Sequence, residues 1–393
     1  MIYLTSLALC LFLTVIYDIL GYTKNKWHWY YILLLLFIAV SGLQYMVGTD
    51  ITEYIYEYKH FYNELRFDVG DVDGMRQPGW VLLCYVCRQI TNDITLLKLI
   101  QAIFVNVSIF HFFKREAKYV FLCLTFYALS SYLLLNFNVL RQSISLGFAL
   151  YSISYYKRKK YIISLLFLFG AYMFHNSALV LLAIPIFGLL NYNKYLLYIL
   201  SLMSLILIYL LFKIDMNLIF DFVFDEFMDD GVFELGQSYV NSDRLGLQET
   251  KMGFVTLFRV FMILSVVMYY MWKYKDVYFG GMGLLYLFLL VFSFILPIIF
   301  RFGTFYEIPF YVILSTVVIE YPKNRLRQVK YMFYICVFAV YSYFPYKDYS
   351  RKYIGSDYCY IDQYYPYHSV LEPDVEENVD HKKLQFFKNF RIK

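Results

Sequence analysis

Three arginines that interrupt long apolar stretches are the residues of this sequence best suited to bind a charged group. Arg141 lies in "NVLRQSISLGF", Arg259 in "TLFRVFMIL" and Arg301 in "PIIFRFGTFYEIPF". A guanidinium donates two parallel hydrogen bonds to a phosphate and keeps its charge when it is partly dehydrated. The pattern therefore indicates a site for an anion such as a diphosphate. In the alternative interpretation, these side chains extend to lipid headgroups or pair with acidic loops.

His175 and Asp50 are candidates for moving a proton. His175 interrupts the apolar stretch "LFLFGAYMFHNSALVLLAIPI", and an imidazole accepts or donates a proton near neutral pH. Its alternative role is to satisfy backbone groups where a helix is broken, with Asn176 and Ser177 capping the next helix. Asp50 also has a structural alternative, because Asp50 and Glu53 have the spacing of a capping box at a helix start. Both residues therefore carry a catalytic and a structural interpretation.

A ladder of tyrosines follows Asp50 at a spacing of four residues: Tyr54, Tyr58 and Tyr62. Residues four apart share one face of a helix. A phenol ring presents an apolar face and a hydroxyl, which suits a sugar, although tyrosines also anchor helices at membrane interfaces. The ladder is therefore predicted to be a binding surface first, and a source of a base only second.

The elements that carry these residues are predicted to be membrane-spanning helices. Apolar residues make up 61% of the 393-residue chain and charged residues 17%, whereas soluble domains carry about a quarter charged residues. The apolar blocks are long enough to cross a hydrocarbon layer of about 30 Å, so we expect an all-α, polytopic transmembrane bundle of about 12 spans. The predicted helices are 2–21, 29–47, 95–113, 118–135, 139–156, 159–173, 176–190, 195–212, 254–272, 279–299, 303–319 and 330–344.

The charge distribution orients this bundle. Short basic clusters such as "KRKK" (157–160) alternate along the chain with the acidic loops 48–77 and 214–253. Basic clusters mark the cytoplasmic side of a membrane protein, so the acidic loops are expected outside. Residues 78–90 are too few to span and are predicted to form a re-entrant or interfacial helix. The net charge of +5 is scattered over these clusters, which argues against a nucleic-acid partner.

The predicted organisation is a transmembrane domain over 1–344 with an extracytoplasmic tail over 345–393. Extracytoplasmic loops are expected at 48–94 and 213–253. In this topology the arginines, His175 and Asp50 lie toward one outer face, which makes that face the candidate site. No glycine-rich phosphate loop or nucleotide-binding fingerprint occurs in the sequence, and no metal or other cofactor is expected.

Several stretches, taken in order, resemble the EpsG family of Wzy-type, O-antigen-polymerase-like membrane glycosyltransferases. They are "VGTDITEYIYEY", "QPGWVLLCYV", "NVLRQSISLGFALY", "KRKKYIISLLFLFGAYMFHNSALVLLAIPI", "RFGTFYEIPFYVIL" and a late "YYPYHSVL". Together they span most of the chain. This chain has Gln77-Pro78-Gly79 where the family usually has Glu-Pro-Gly, which moves the role of base toward Asp50, Glu53 or His175.

The resemblance implies a GT-C-like fold and a polymerase of lipid-linked sugar repeats in the bacterial cytoplasmic membrane. The donor would be a glycan chain on undecaprenyl diphosphate, and the acceptor a hydroxyl of a new lipid-linked unit. Besides these substrates and membrane lipid, a flippase and a chain-length regulator of the same pathway are expected partners. The expected catalytic residues are Asp50, His175, Arg141 and Arg301, and the expected substrate-binding residues are Tyr54, Tyr58, Glu53, Gln77, Trp80, Gln142, Arg259 and Tyr306.

Three other functions fit parts of the sequence. A flippase for the same lipid-linked glycans would also collect outward arginines and aromatic residues, but should have pseudo-symmetric halves. A structural subunit of an export complex would need no polar constellation. A ligase that moves finished glycan to another acceptor would share the fold and the chemistry.

Overall fold

The computed structural model is helical and describes most of the chain. The described residues are 2–68, 70–71, 74–213, 254–294, 296–323, 326–353, 356–372 and 374–392, so the predicted acidic loop over 214–253 lies outside them. Within these ranges the strands form one short hairpin, β1 (Gly70–Asp71) with β2 (Gly74–Met75). The chain divides into two compact units, Met1–Leu179 with Val318–Lys393, and Val180–Val317.

The first unit is built around α5 (Thr95–Glu116), which packs against α2 (Lys26–Gly42) and α7 (Leu140–Lys157). Helix α7 also packs against α8 (Tyr161–Tyr172). Two of its helices continue as π-helical segments. The segment Thr14–Ile19 follows α1 (Ile2–Leu13), and the segments Tyr127–Ser131 and Leu134–Asn138 follow α6 (Val120–Phe126). Its helices are α1 (Ile2–Leu13), α2 (Lys26–Gly42), α3 (Ile51–His60), α4 (Pro78–Ile90), α5 (Thr95–Glu116), α6 (Val120–Phe126), α7 (Leu140–Lys157), α8 (Tyr161–Tyr172), α14 (Arg327–Ser350), α15 (Val375–Asn378) and α16 (His381–Ile392).

In the second unit α12 (Val277–Ser293) packs against α9 (Ile184–Leu189) and α11 (Phe254–Tyr274). A 3₁₀ turn, Asn176–Ala183, leads into this unit from the first, and another, Pro297–Ile299, precedes its last helix. Its helices are α9 (Ile184–Leu189), α10 (Lys194–Lys213), α11 (Phe254–Tyr274), α12 (Val277–Ser293) and α13 (Phe300–Glu320), the last of which ends in the first unit.

Four helical stretches are long and apolar enough to cross a membrane. They are Ile2–Ile19, Thr95–Glu116, Thr256–Tyr274 and Pro297–Glu320, and shorter apolar helices accompany them in the described part of the chain. The expectation of a helical membrane protein is confirmed, while the number of spans stays a prediction.

Several predicted helices end elsewhere in the structure. The predicted helix 29–47 ends at Gly42, because residues 43–48 pair with the C-terminal tail instead. The predicted helix 279–299 ends at Ser293, and Pro297, which has no amide hydrogen, starts a new turn. The predicted helix 330–344 runs on to Ser350, so its last turn is polar rather than apolar.

The basic clusters that indicate the cytoplasmic side meet at one end of the first unit. Arg158, directly after α7, places Nη1 2.6 Å from Oε1 of Glu116 at the end of α5. Lys118, two residues before α6, places Nζ 2.5 Å from Oε1 of Glu320 at the end of α13. Ion pairs therefore join the helix ends that positive-inside counting assigned to the same side.

Candidate active site

The tyrosine ladder of α3 faces the protein interior. Tyr58 is fully buried and its hydroxyl donates to the Thr91 carbonyl at 3.0 Å. The Tyr54 ring lies 5.4 Å from the ring of Trp80 on α4. Burial raises the pKa of the Tyr58 and Tyr62 hydroxyls above the ordinary value, so both stay protonated at neutral pH. The ladder thus docks α3 onto its neighbours.

The expected capping box at Asp50 does not form. Asp50 directly precedes α3, but its carboxylate makes no capping hydrogen bond. The Thr49 hydroxyl donates to Oδ1 of Asp50 at 2.9 Å instead. Glu53 turns away, because its Oε1 lies 2.7 Å from Nη2 of Arg76. Asp50 is therefore held by its own loop and is half-buried.

Arg76 forms a buried ionic cluster that the sequence analysis missed. Its side chain is 1% exposed and contacts Glu57, which is 3% exposed, through both Nε and Nη2. Glu53 completes the cluster, and the Tyr62 hydroxyl donates to Oε2 of Glu57 at 3.3 Å. Two carboxylates four residues apart on α3 thus neutralise one guanidinium. That spacing, with an arginine directly before Gln77, was the signal in the sequence.

A short strap, Gln77-Pro78-Gly79, links Arg141 to the turn that precedes His175. Pro78 starts α4, where its missing amide costs nothing. On one side, Nη1 of Arg141 donates to Oε1 of Gln77 over a long 3.5 Å. On the other, the Gly79 amide donates to the Met173 carbonyl at 2.8 Å. The strap thereby gathers elements far apart in sequence.

Gly79→Ala is expected to destabilise the protein by about 1–3 kcal/mol, the usual cost of an overpacked site. A Cβ at this position would lie 2.7 Å from the Met173 carbonyl oxygen, which is backbone and cannot rotate away. Thermal unfolding of the purified protein in detergent measures the loss. Gly303→Ala is the matched control, because its Cβ would find its nearest neighbour at 3.7 Å. Equal melting temperatures for the two variants would refute this close approach.

Two buried hydrogen-bond donors beside the strap have no protein partner among the described residues. They are Nε of Arg141 and Nε1 of Trp80. Leaving a buried donor unmatched costs about 1–3 kcal/mol, so these atoms indicate a place for an external acceptor. Gln142, the residue after Arg141, is 3% exposed and lies inside the bundle.

His175 lies at the break between α8 and the following 3₁₀ turn. Its Nδ1 accepts the Ser177 amide at 3.2 Å and lies 2.6 Å from the Ser177 hydroxyl. Because a backbone N–H can only donate, Nδ1 carries no proton, and in the neutral ring the proton is on Nε2. His175 in this state satisfies the helix break at Nδ1.

Arg259 belongs to a polar cluster of the second unit that includes an unanticipated carboxylate. The Tyr286 hydroxyl hydrogen-bonds to the side chains of both Arg259 and Glu307. The Tyr311 hydroxyl donates to Oε1 of Glu307 at 2.8 Å. Glu307 is 8% exposed within α13, a depth at which a carboxylate needs such partners. Its place inside the apolar motif "FYEIPF" was the signal in the sequence.

The other two candidates of the second unit lie near the start of α13. Arg301 is half-buried, and its backbone carbonyl accepts the Thr304 hydroxyl at 2.8 Å. Tyr306 is fully buried, and its hydroxyl donates to the Val180 carbonyl at 2.7 Å. Tyr306 therefore positions the chain at Val180 in this structure.

The first unit assembles most of the candidate residues. The strap joins Arg141 and Gln77 to the turn before His175, and α3 places Glu53 and Tyr54 beside the same segment. The second unit holds the remaining candidates, Arg259, Arg301 and Tyr306.

Comparison with known proteins identifies the family. The EpsG family model matches residues 27–369, nearly the whole chain and every motif described above except the last two residues of "YYPYHSVL". No curated protein and no solved structure gives a significant match. The chain therefore belongs to the EpsG family, a Wzy-like family of membrane proteins that polymerise polysaccharides.

Proposed function

We propose that this protein polymerises oligosaccharide repeat units carried on undecaprenyl diphosphate, at the outer face of the bacterial cytoplasmic membrane. The growing glycan on its lipid is the donor, and a hydroxyl of a new lipid-linked unit is the acceptor. The product is an exopolysaccharide, capsule or O-antigen chain. Membership of the EpsG family supports the general activity.

Arg141 is the observation that carries this proposal. Its guanidinium has a buried Nε without a partner in the described part of the chain, and one long hydrogen bond to Gln77. Arg76, the residue directly before Gln77, is instead neutralised by Glu53 and Glu57. Arg141 thus keeps donor capacity for a ligand, and a diphosphate oxygen matches the planar fork of these donors. Arg301 remains a second proposed phosphate-binding arginine.

The reaction is a glycosyl transfer in which the lipid diphosphate leaves. The acceptor oxygen forms a bond to the anomeric carbon of the donor, while the bond from that carbon to the phosphate oxygen breaks. The electron pair goes to undecaprenyl diphosphate, whose added negative charge Arg141 stabilises. The hydroxyl proton passes to a base and then to water. No nucleotide enters, in keeping with the missing nucleotide-binding motif.

Asp50 is proposed as the base and His175 as a hydrogen-bond donor to the leaving group. Asp50 accepts a hydrogen bond from the Thr49 hydroxyl at 2.9 Å, and it lies in the loop just before α3. A carboxylate is the simplest acceptor for a hydroxyl proton. Nδ1 of His175 is occupied by the Ser177 amide and hydroxyl, which makes this nitrogen a poor proton acceptor and favours a donor role for the imidazole.

Expression in a bacterial strain that lacks its own polysaccharide polymerase tests the function. Gel analysis of the lipid-linked glycans should show a ladder of polymers with the protein and single repeat units without it. A flippase and a chain-length regulator of the pathway remain in the strain. Single repeat units that persist despite normal protein levels in the membrane would contradict the proposal, as would transfer of unpolymerised units to another acceptor, the outcome expected of a ligase.

A further inference from the structure

The C-terminal tail returns to the loop that follows α2. The Tyr45 amide donates to the His368 carbonyl at 2.8 Å, and the Val370 amide donates to the Leu43 carbonyl at 2.9 Å. Gln44 and Ser369 lie opposite each other between these bonds as an antiparallel bridge. The tail is therefore paired with the loop 43–48, just before Asp50.

Asn138 joins this tail to two other segments through one side chain. Its Nδ2 donates to Oε1 of Gln363 at 2.9 Å and to the Tyr364 hydroxyl at 2.8 Å. Its Oδ1 accepts the Thr49 amide at 3.2 Å. Asn138 is only 7% exposed, so these bonds are shielded from water. Every hydrogen-bonding group of the amide is thus directed at another part of the chain.

Gly48 brings the loop close enough for this arrangement. Its φ of +101° lies in a region that side chains rarely adopt, and a Cβ there would lie 2.5 Å from Oδ1 of Asn138. The Gly48 amide donates to the Gln363 carbonyl at 2.9 Å. The backbone at Gly48 therefore packs directly against the side chain of Asn138 and bonds to the tail, and a residue larger than glycine does not fit at position 48.

Asn138 lies close in the chain to Arg141, and its partner Thr49 lies next to Asp50. Asn138 ends a π-helical segment three residues before Arg141, while Thr49 directly precedes Asp50. One amide therefore connects the loop that carries Asp50 to the start of the helix that carries Arg141. The match to the EpsG family extends through residue 369 and includes the tail segment that holds this amide.

We propose that Asn138, Gln363 and Tyr364 form a latch through which the C-terminal tail sets the position of Asp50 relative to Arg141. Asn138 is then a positioning residue, which acts on the reaction through the loop and the helix that it connects. This role rests on the proposed polymerase function.

Enzyme kinetics in membranes test the role. Asn138→Ala should lower kcat about tenfold to a hundredfold, because misplacement of a reacting group by about 1 Å costs this much. The KM for the lipid-linked unit should not change, since the side-chain amide of Asn138 is bonded to the protein itself and its proposed role is positioning. Tyr364→Phe should have a smaller effect of the same kind. A wild-type kcat for Asn138→Ala, or a change in KM alone, would overturn the latch.

Tyr367→Phe is the matched control within the same tail. The Tyr367 hydroxyl donates to the Val40 carbonyl at 3.1 Å, so its loss also removes one bond between the tail and the end of α2. It leaves Asn138 and its partners intact, and its kcat should equal that of the wild type. If Tyr367→Phe and Tyr364→Phe lose the same activity, the tail acts as general support and the latch is refuted.

The rate of disulfide crosslinking between the loop and the tail tests the latch independently of enzyme activity. Gln44→Cys with Ser369→Cys should crosslink under mild oxidation, because opposed residues of an antiparallel pair lie within disulfide range. The background carries Cys359→Ser, which removes the native thiol of the tail. Adding Asn138→Ala should reduce the crosslinking rate several-fold. An unchanged rate overturns the latch, whereas a reduced rate in a protein that makes no polymer would refute only the proposed function.

Discussion

Arg141→Lys is expected to abolish polymer formation while the protein still accumulates in the membrane. Lysine keeps the positive charge but loses the planar fork that can hold two phosphate oxygens at once. Removing one donor that stabilises a developing oxyanion costs about 10²–10³ in kcat. Arg141 donates to Gln77 only over 3.5 Å and keeps a buried Nε without a protein partner in the described residues, so the protein loses little stability. Gel analysis of lipid-linked glycans measures the effect.

Arg158→Lys is the control for this substitution. Arg158 pairs with Glu116 at the end of the first unit that carries the basic clusters, where an ion pair with lysine is an adequate replacement. Its polymer yield should match that of the wild type. Arg301→Lys, made separately, reports whether the second arginine contributes to the same step. Unchanged polymer from Arg141→Lys, at equal protein levels, would defeat the diphosphate role of Arg141.

Arg76→Met is expected to destabilise the protein by about 3–5 kcal/mol, because it leaves a buried carboxylate without its partner. The carboxylate is that of Glu57, which is 3% exposed and is held by Arg76 and the Tyr62 hydroxyl. This loss is comparable to much of the stability of a typical domain, so little folded protein should reach the membrane. Western blotting of membranes and thermal unfolding in detergent measure it.

A second substitution at Glu57 should reverse most of this loss. Arg76→Met with Glu57→Leu removes the two buried charges and fills the space with apolar side chains, a replacement that is often neutral or stabilising. The third member, Glu53, keeps its charge but is 27% exposed. The double variant should recover its melting temperature and the amount of protein in the membrane. If the double variant is less stable than Arg76→Met alone, the cluster is held by something other than the pairing of these two residues.

Sequence patterns predicted some local structure around the candidate residues, but not the orientation of their side chains. The helix break at His175 was predicted, because Asn176 and Ser177 follow the imidazole in an otherwise apolar stretch. Tyr54 and Tyr58 lie on one face of α3 as predicted, whereas Tyr62 lies beyond the end of this helix, and the spacing cannot distinguish an outward face from a buried one. Only packing against Trp80 and Thr91 decides that the ladder points inward.

Contacts between distant residues were beyond sequence reasoning. Asp50 and Glu53 had the correct local spacing for a capping box. The Glu53 carboxylate instead accepts a hydrogen bond from Arg76, which lies 23 residues further along the chain. The bond between Asn138 and Tyr364 joins residues 226 apart, and no local propensity specifies such a pairing. Local patterns fix where a helix starts or breaks, whereas these hydrogen bonds depend on the folded arrangement of the first unit.

Reconstitution of the purified protein in liposomes with lipid-linked repeat units as the sole substrate tests the central claim most directly. The measurement is the release of undecaprenyl diphosphate together with the length of the lipid-linked glycan. We expect glycans to lengthen with one undecaprenyl diphosphate released for each unit added, and Arg141→Lys to prevent both. Repeat units that stay unpolymerised in the presence of the folded protein, or lengthening that requires a nucleotide sugar, would contradict the assignment.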